Sequence, residues 1–141
     1  MTSIVNLQKE VRLDTKPFRQ LIDLFHDSVT EAVNKEFTVA FVSNRRMIEL
    51  NKIFRCKDSI TDVLSFPYEP DEFDPKKNNL GDIVISAEQA QKQADENGLT
   101  LEAEIKQLIL HGLLHLCGYD HESDNGEMNA REWELREEIG I

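Results

Sequence analysis

The sequence predicts an α/β domain: a small mixed β-sheet flanked by helices, with one central buried helix. Three observations lead there. Short segments rich in β-branched and aromatic residues (Phe37 to Val42, Val63 to Phe66, Leu80 to Ser86) alternate with stretches of helical periodicity. At 141 residues the chain has the length of one domain around one core, so residues 1–141 are expected to form a single unit. The segment from Leu108 to Cys117 is apolar all round except for two histidines and a glycine, as a helix packed on every side should be.

Taken in order, Val5 to Val11 alternates apolar and polar residues and reads as an edge strand. Pro17 opens a helical pattern running through Phe18, Leu21, Ile22, Phe25, Val29, Ala32 and Val33, at a first-turn position where its missing N–H is harmless. Phe37 to Val42 is a strand. Ser43 and Asn44 can cap a helix with Met47, Leu50, Ile53 and Phe54 on its apolar face. Val63 to Phe66 is a short strand stopped by Pro67, and the polar stretch from Tyr68 to Asn79 reads as a functional or mobile loop. Leu80 to Ser86 is the next strand. Ser86 and Gln89 suggest a capping box for a helix from Ala87 to Asn97, which Gly98 ends. Thr100 caps the central helix, with Glu102 and Glu104 favourably placed at the positive end of its dipole, and Gly118 stops it. Glu127 to Glu138, with Met128, Trp133, Leu135 and Ile139 among many carboxylates, reads as a partly docked, solvated C-terminal helix.

The charge balance narrows the function classes. Against 16 Lys+Arg stand 27 Asp+Glu, a formal net charge of -11, which argues at first against a nucleic-acid partner. The charge is uneven, however. Arg45, Arg46, Lys52, Arg55 and Lys57 face a single acid, Glu49, in the same segment, so a basic patch survives in an acidic protein. No apolar run approaches the roughly 18 residues of a membrane span, and Met1 to Val11 has no signal-like apolar core, so a cytoplasmic protein without membrane contact is expected. Cys56 and Cys117 lie far apart in no CxxC spacing, which suits a reducing compartment.

The chemistry concentrates in His111-Gly-Leu-Leu-His115-Leu-Cys-Gly-Tyr-Asp-His121. Residues i and i+4 stack on one helix face, so His111 and His115 can aim at a common atom. Gly118 permits the turn after which His121 returns a third imidazole. Three nitrogens with a fourth position open is the arrangement of a catalytic zinc. Another first-row divalent metal suits three imidazoles as well. Satisfied core histidines are the alternative. It fits His26, alone on the first helix, but it would bury two imidazoles of the trio among leucines with nothing to bind them. Metzincin proteases share the histidine spacing, but their glutamate base is replaced by Gly112, which disfavours a peptidase; a base would have to be a hydroxide on the metal, Asp82 or Asp120. Cys117 points away from the histidines by helical geometry and reads as a buried apolar residue.

The histidine segment, together with NKIFRCKDSITDVLSFP (Asn51 to Pro67) and LGDIVIS (Leu80 to Ser86), resembles the YbeY family of bacterial metal-dependent endoribonucleases, also called rRNA maturation factors. Phe54 and Cys56 stand where many relatives have Tyr and Gly. The resemblance implies one zinc ion held by His111, His115 and His121, and cleavage of single-stranded RNA in 3'-end maturation of 16S rRNA and ribosome quality control. It also implies a functional role for Arg55, whose forked guanidinium suits a phosphate. Lys57, Arg45 and Arg46 are candidates for neighbouring phosphates. The partners implied are the ribosome or its small subunit, with a ribosomal protein or a ribosome-associated GTPase delivering the substrate. Asp58, Thr61 and Asp62 read as turn formers and caps. Two other readings stay open: an assembly factor stapled by a structural metal, and a zinc hydrolase of another substrate class.

Overall fold

The computed structural model describes residues 3–57, 60–69, 73, 78–120 and 122–141. Its four-stranded sheet has the order β1-β2-β4-β3, from β1 (Ser3–Asn6), β2 (Glu36–Val42), β3 (Val63–Pro67) and β4 (Asn79–Ser86). β1, β2 and β4 run parallel, and β3 pairs antiparallel with β4 at the sheet edge, so the sheet is mixed as expected. Five α-helices complete the described fold: α1 (Lys16–Ser28), α2 (Asn44–Arg55), α3 (Ala87–Asn97), α4 (Leu101–Leu116) and α5 (Glu127–Ile139).

The strand pleat divides the core. Phe37, Val39, Phe41, Ile83 and Ile85 join the main cluster with α1, α4 and α5, while Val42, Leu64 and Val84 pack beneath Met47 of α2 on the opposite face. Ile105, Ile109, Leu110, Leu113 and Leu114 of α4 are fully buried, which fits a central helix apolar all round. No described helix is long and apolar enough to cross a membrane.

Three expectations need correction. The first strand is shorter and earlier than Val5 to Val11, because the Gln8 side chain bonds both the N–H and the C=O of Val11 and turns the chain. The first helix stops at Ser28; Val29 is extended, and Thr30–Ala32 forms a separate 3-10 turn that still buries Ala32. On α2 only Met47 of the four proposed apolar positions is buried, and Ile53 and Phe54 face solvent. The two acids expected at the start of α4, Glu102 and Glu104, do stand in its first turn, where Glu104 is buried at 6% exposure.

The expected helix starts hold where a side-chain oxygen reaches the right N–H. Ser43 accepts from Arg46, Ser86 from Gln89 and Thr100 from Ala103. Cys56 closes α2 in the left-handed region at φ 55, a position suited to glycine.

A polar clamp ties the 3-10 turn to α5. Arg131 donates from Nε and Nη2 to the two oxygens of Glu31 at 3.1 and 2.9 Å, and the Tyr119 hydroxyl donates to the same carboxylate at 2.8 Å. Arg131 above all holds Glu31 down to about 2, from an ordinary 4.5. Because the folded value lies below the unfolded one, this stabilisation is fully present above pH 4.5 and is lost as pH falls from there to about 2. After screening, about 1–2 kcal/mol remains. Urea titrations should therefore show Glu31→Gln losing that amount at pH 7 and nothing near pH 2; an equal loss at both pH values would refute the assignment.

Candidate active site

The edge strand β3 and the C-terminal half of α4 form the walls of an open cleft of about 630 Å³, whose lining includes Arg55, Asp62, Ser65, His111, His115 and Asp120. A glycine brings the two walls together. A Cβ on Gly112 would lie 2.7 Å from Ile83 Cγ2, and the Ser65 hydroxyl donates to the Gly112 carbonyl at 3.2 Å. The position that lacks a metzincin base is thus a point of close approach between α4 and the sheet, with His111 just before it and His115 three residues after it, both at the cleft.

His111 and His115 do converge. Their rings meet edge to face with centroids 4.8 Å apart, and the two Nε2 atoms are 3.2 Å apart. Each Nδ1 has an acceptor. That of His115 donates to the Tyr119 carbonyl at 3.0 Å, and that of His111 faces both Glu132 oxygens at 3.3 and 3.4 Å. These contacts place the proton on Nδ1 and direct Nε2 into the cleft. The Glu132 hydrogen bond raises the pKa of His111 against the opposing effect of burial.

From the cleft wall, Asp62 ties into a polar cluster with α3 and α4. Asp62 accepts the Val63 N–H at 2.8 Å, and Gln93, its amide nitrogen turned inward because its oxygen would face two carboxyl groups, donates to Asp62 at 2.9 Å and to Glu104 at 3.0 Å. Burial, and then the neighbouring Asp62, push Glu104 above the ordinary carboxyl range.

The other expected site residues divide clearly. Arg55, at the end of α2, reaches the cleft. Arg45 and Arg46 lie at the other end of that helix, about 14 Å along its axis, paired with Glu49 at 3.9 and 2.9 Å. The cleft does not bring them in. Lys57 is exposed two residues beyond Arg55 and is not among the cleft-lining residues. Asp82 is exposed on β4 and outside the cleft, whereas Asp120 lines it. Cys117 is half-buried against the main core, and burial pushes its thiol up to about 11. His121 and Asp58 lie outside the described residues. Among the described residues no group of three or more His, Cys, Asp or Glu side chains forms a metal cage, and the side chains that could share an ion are His111 and His115.

Sequence reasoning left the acceptors behind the histidines unnamed. One signal was available for Glu132: it lies four residues after Met128 and three before Leu135, on the buried stripe of α5, where a carboxylate needs a partner. The Tyr119 carbonyl carries no side-chain signal.

Known proteins share this arrangement of elements. A Thermotoga maritima protein with a solution structure matches 99% of this chain and 89% of its own at a TM-score of 0.67 and 29% identity. A Nautilia profundicola protein named Endoribonuclease YbeY is 44% identical over 85% of this chain and 84% of its own length. A Sulfurovum protein of the same name is 38% identical over 100% of this chain and 94% of its own. Fold, cleft and relatives together define the class, a hydrolytic endoribonuclease on a mixed α/β sheet. Residues 3–140 match the family described as Endoribonuclease YbeY, and the chain belongs to that family.

Proposed function

We propose that the protein is a zinc-dependent endoribonuclease that cuts single-stranded RNA, with 16S rRNA 3'-end maturation and ribosome quality control as its task. The observation that carries the metal is the 3.2 Å between the two Nε2 atoms, each on a ring whose Nδ1 already has an acceptor. Two such nitrogens facing each other need a shared proton or cation. Two ligands at about 2.0–2.1 Å in a tetrahedral shell stand roughly 3.3 Å apart, so the pair fits zinc. Another first-row divalent ion fits a similar spacing. His111 and His115 are assigned as two ligands and His121 as the third. An ion held there supplies Lewis-acid stabilisation for charge developing on the phosphoryl group.

The remaining work belongs to the chain's own residues. Glu132 and the Tyr119 carbonyl orient the imidazoles. Arg55 binds the scissile phosphate and offsets charge on its oxygens. Lys57 guides the adjoining backbone. The open cleft favours catalysis over a structural staple, which four protein ligands would close. A duplex buries its base edges, so single-stranded RNA, whose nucleotides can splay into the cleft, is the favoured substrate. With a net charge of -11, non-specific RNA affinity is weak, and a ribosomal protein or ribosome-associated GTPase delivers the substrate.

Metal stripping tests this reading. Chelator-treated protein should lose at least about 100-fold in cleavage of a single-stranded oligoribonucleotide, recover with one equivalent of zinc, and leave duplex RNA intact. Full-rate cutting by metal-free protein would refute it.

A further inference from the structure

One feature beside the cleft has no task in that mechanism. Phe54 is 62% exposed on the last turn of α2, immediately before Arg55. Its ring is held edge to face against Phe66 of β3, with centroids 5.0 Å apart and planes at 65°. Phe66 is partly buried against the cluster beneath α2, which gives the exposed ring a fixed support. The strand neighbours of Phe66, namely Ser65 and Pro67, line the cleft, as does Arg55. Ser65 faces α4 across the cleft, whereas Phe66 between its neighbours faces α2 with Phe54 upon it, and Arg55, next to Phe54, lines the cleft; the exposed ring and the guanidinium thus flank the β3 edge.

The charges around this edge suit a polyanion on one side only. Lys52, Arg55 and Lys57 are exposed around Phe54, and no acid interrupts residues 50–57. Asp82, the ladder partner of Phe66, is exposed on the neighbouring strand and would repel phosphates there. A strand crossing this edge keeps its phosphates toward Arg55 and presents its bases to Phe54.

We propose that Phe54, propped by Phe66, is a stacking platform for one unpaired nucleobase of single-stranded RNA whose adjoining phosphate is held by Arg55. The ligand class rests on the endoribonuclease reading. Every base has a π-face, so such a contact tolerates sequence but rejects a duplex, whose bases are already stacked.

The test is an anisotropy titration of a labelled single-stranded oligoribonucleotide, with cleavage kinetics on the same substrate. Phe54→Ala should raise Kd and KM about tenfold, within a range of ~5- to ~100-fold for one lost stack, and leave kcat within about twofold. In a Trp133→Phe background, Phe54→Trp should restore affinity, and its fluorescence should be quenched as RNA binds. An oligonucleotide with abasic sites should bind weakly to wild type and be indifferent to Phe54→Ala. Wild-type affinity in Phe54→Ala, or an equal loss on intact and abasic RNA, overturns the platform. Phe54-dependent binding without cleavage by wild type supports the platform and removes the endoribonuclease reading. Cleavage with Phe54-independent binding removes the platform alone, and a wild type that neither binds nor cuts overturns both.

Discussion

His115→Ala should lower kcat/KM for single-stranded RNA by about a thousandfold or more while the protein stays folded. The substitution removes one of two Nε2 atoms that stand 3.2 Å apart and breaks the bond to the Tyr119 carbonyl. Loss of a metal-binding nitrogen forfeits several kcal/mol of electrostatic stabilisation, and ~4 kcal/mol is about three powers of ten in rate. The fold is spared because His115 is only partly buried at the cleft, while the leucines around it keep α4 on the sheet. Metal analysis should show bound zinc falling together with the rate. Undiminished cleavage with undiminished zinc would remove His115 from the site.

Gly81→Ala should have the largest effect on stability, about 4 kcal/mol, and should yield a protein unfolded or insoluble at moderate urea. Gly81 adopts φ +131, and a Cβ there would stand 2.1 Å from the Phe66 carbonyl oxygen. The atoms it would meet, the Phe66 carbonyl and the Tyr68 nitrogen, are all backbone, so no rotamer change relieves the clash. The cause is a bulge: Glu36 pairs with Asn79 but Phe37 pairs with Gly81, which leaves Leu80 extra in β4. The Asn79 side chain accepts the Gly81 N–H at 3.1 Å and fixes the bend. Strain at this φ alone costs a few kcal/mol, and separating β3 from β4 adds to it. Since β3 is a wall of the cleft, cleavage should fall with stability. A urea midpoint within about 0.3 M of wild type would show that the bulge relaxes freely.

Much of this architecture was legible in local pattern. The segments from Phe37 to Val42, Val63 to Phe66 and Leu80 to Ser86 are rich enough in β-branched and other apolar residues that their strands stand within a residue of expectation. The central helix starts at its Thr100 cap as read. Errors came where a side chain overrode periodicity. Gln8 ends the first strand through two backbone bonds that no hydropathy pattern contains. Ile53 and Phe54 follow helical spacing yet face water, because α2 covers only part of its sheet face around Met47. The i, i+4 spacing of His111 and His115 was a sufficient signal for their convergence, since helix geometry alone puts them on one face.

The sequence by itself determined the fold class, the order of the described elements and the facing imidazoles. All of these depend on residues within a few positions of one another, where backbone geometry leaves little choice. Only the tertiary structure decided which distant groups meet them. Arg55 reaches the same cleft while Arg45 and Arg46 do not, because α2 ends at the edge strand and begins far from it. Glu132 arrives 21 residues after His111 through the docking of α5. Gly112, which from sequence was only the place of a missing base, is where α4 packs too tightly against Ile83 and Ser65 to admit a side chain. Contacts of this kind depend on how faces pack across the core, and a linear pattern of apolar and polar residues does not encode that packing.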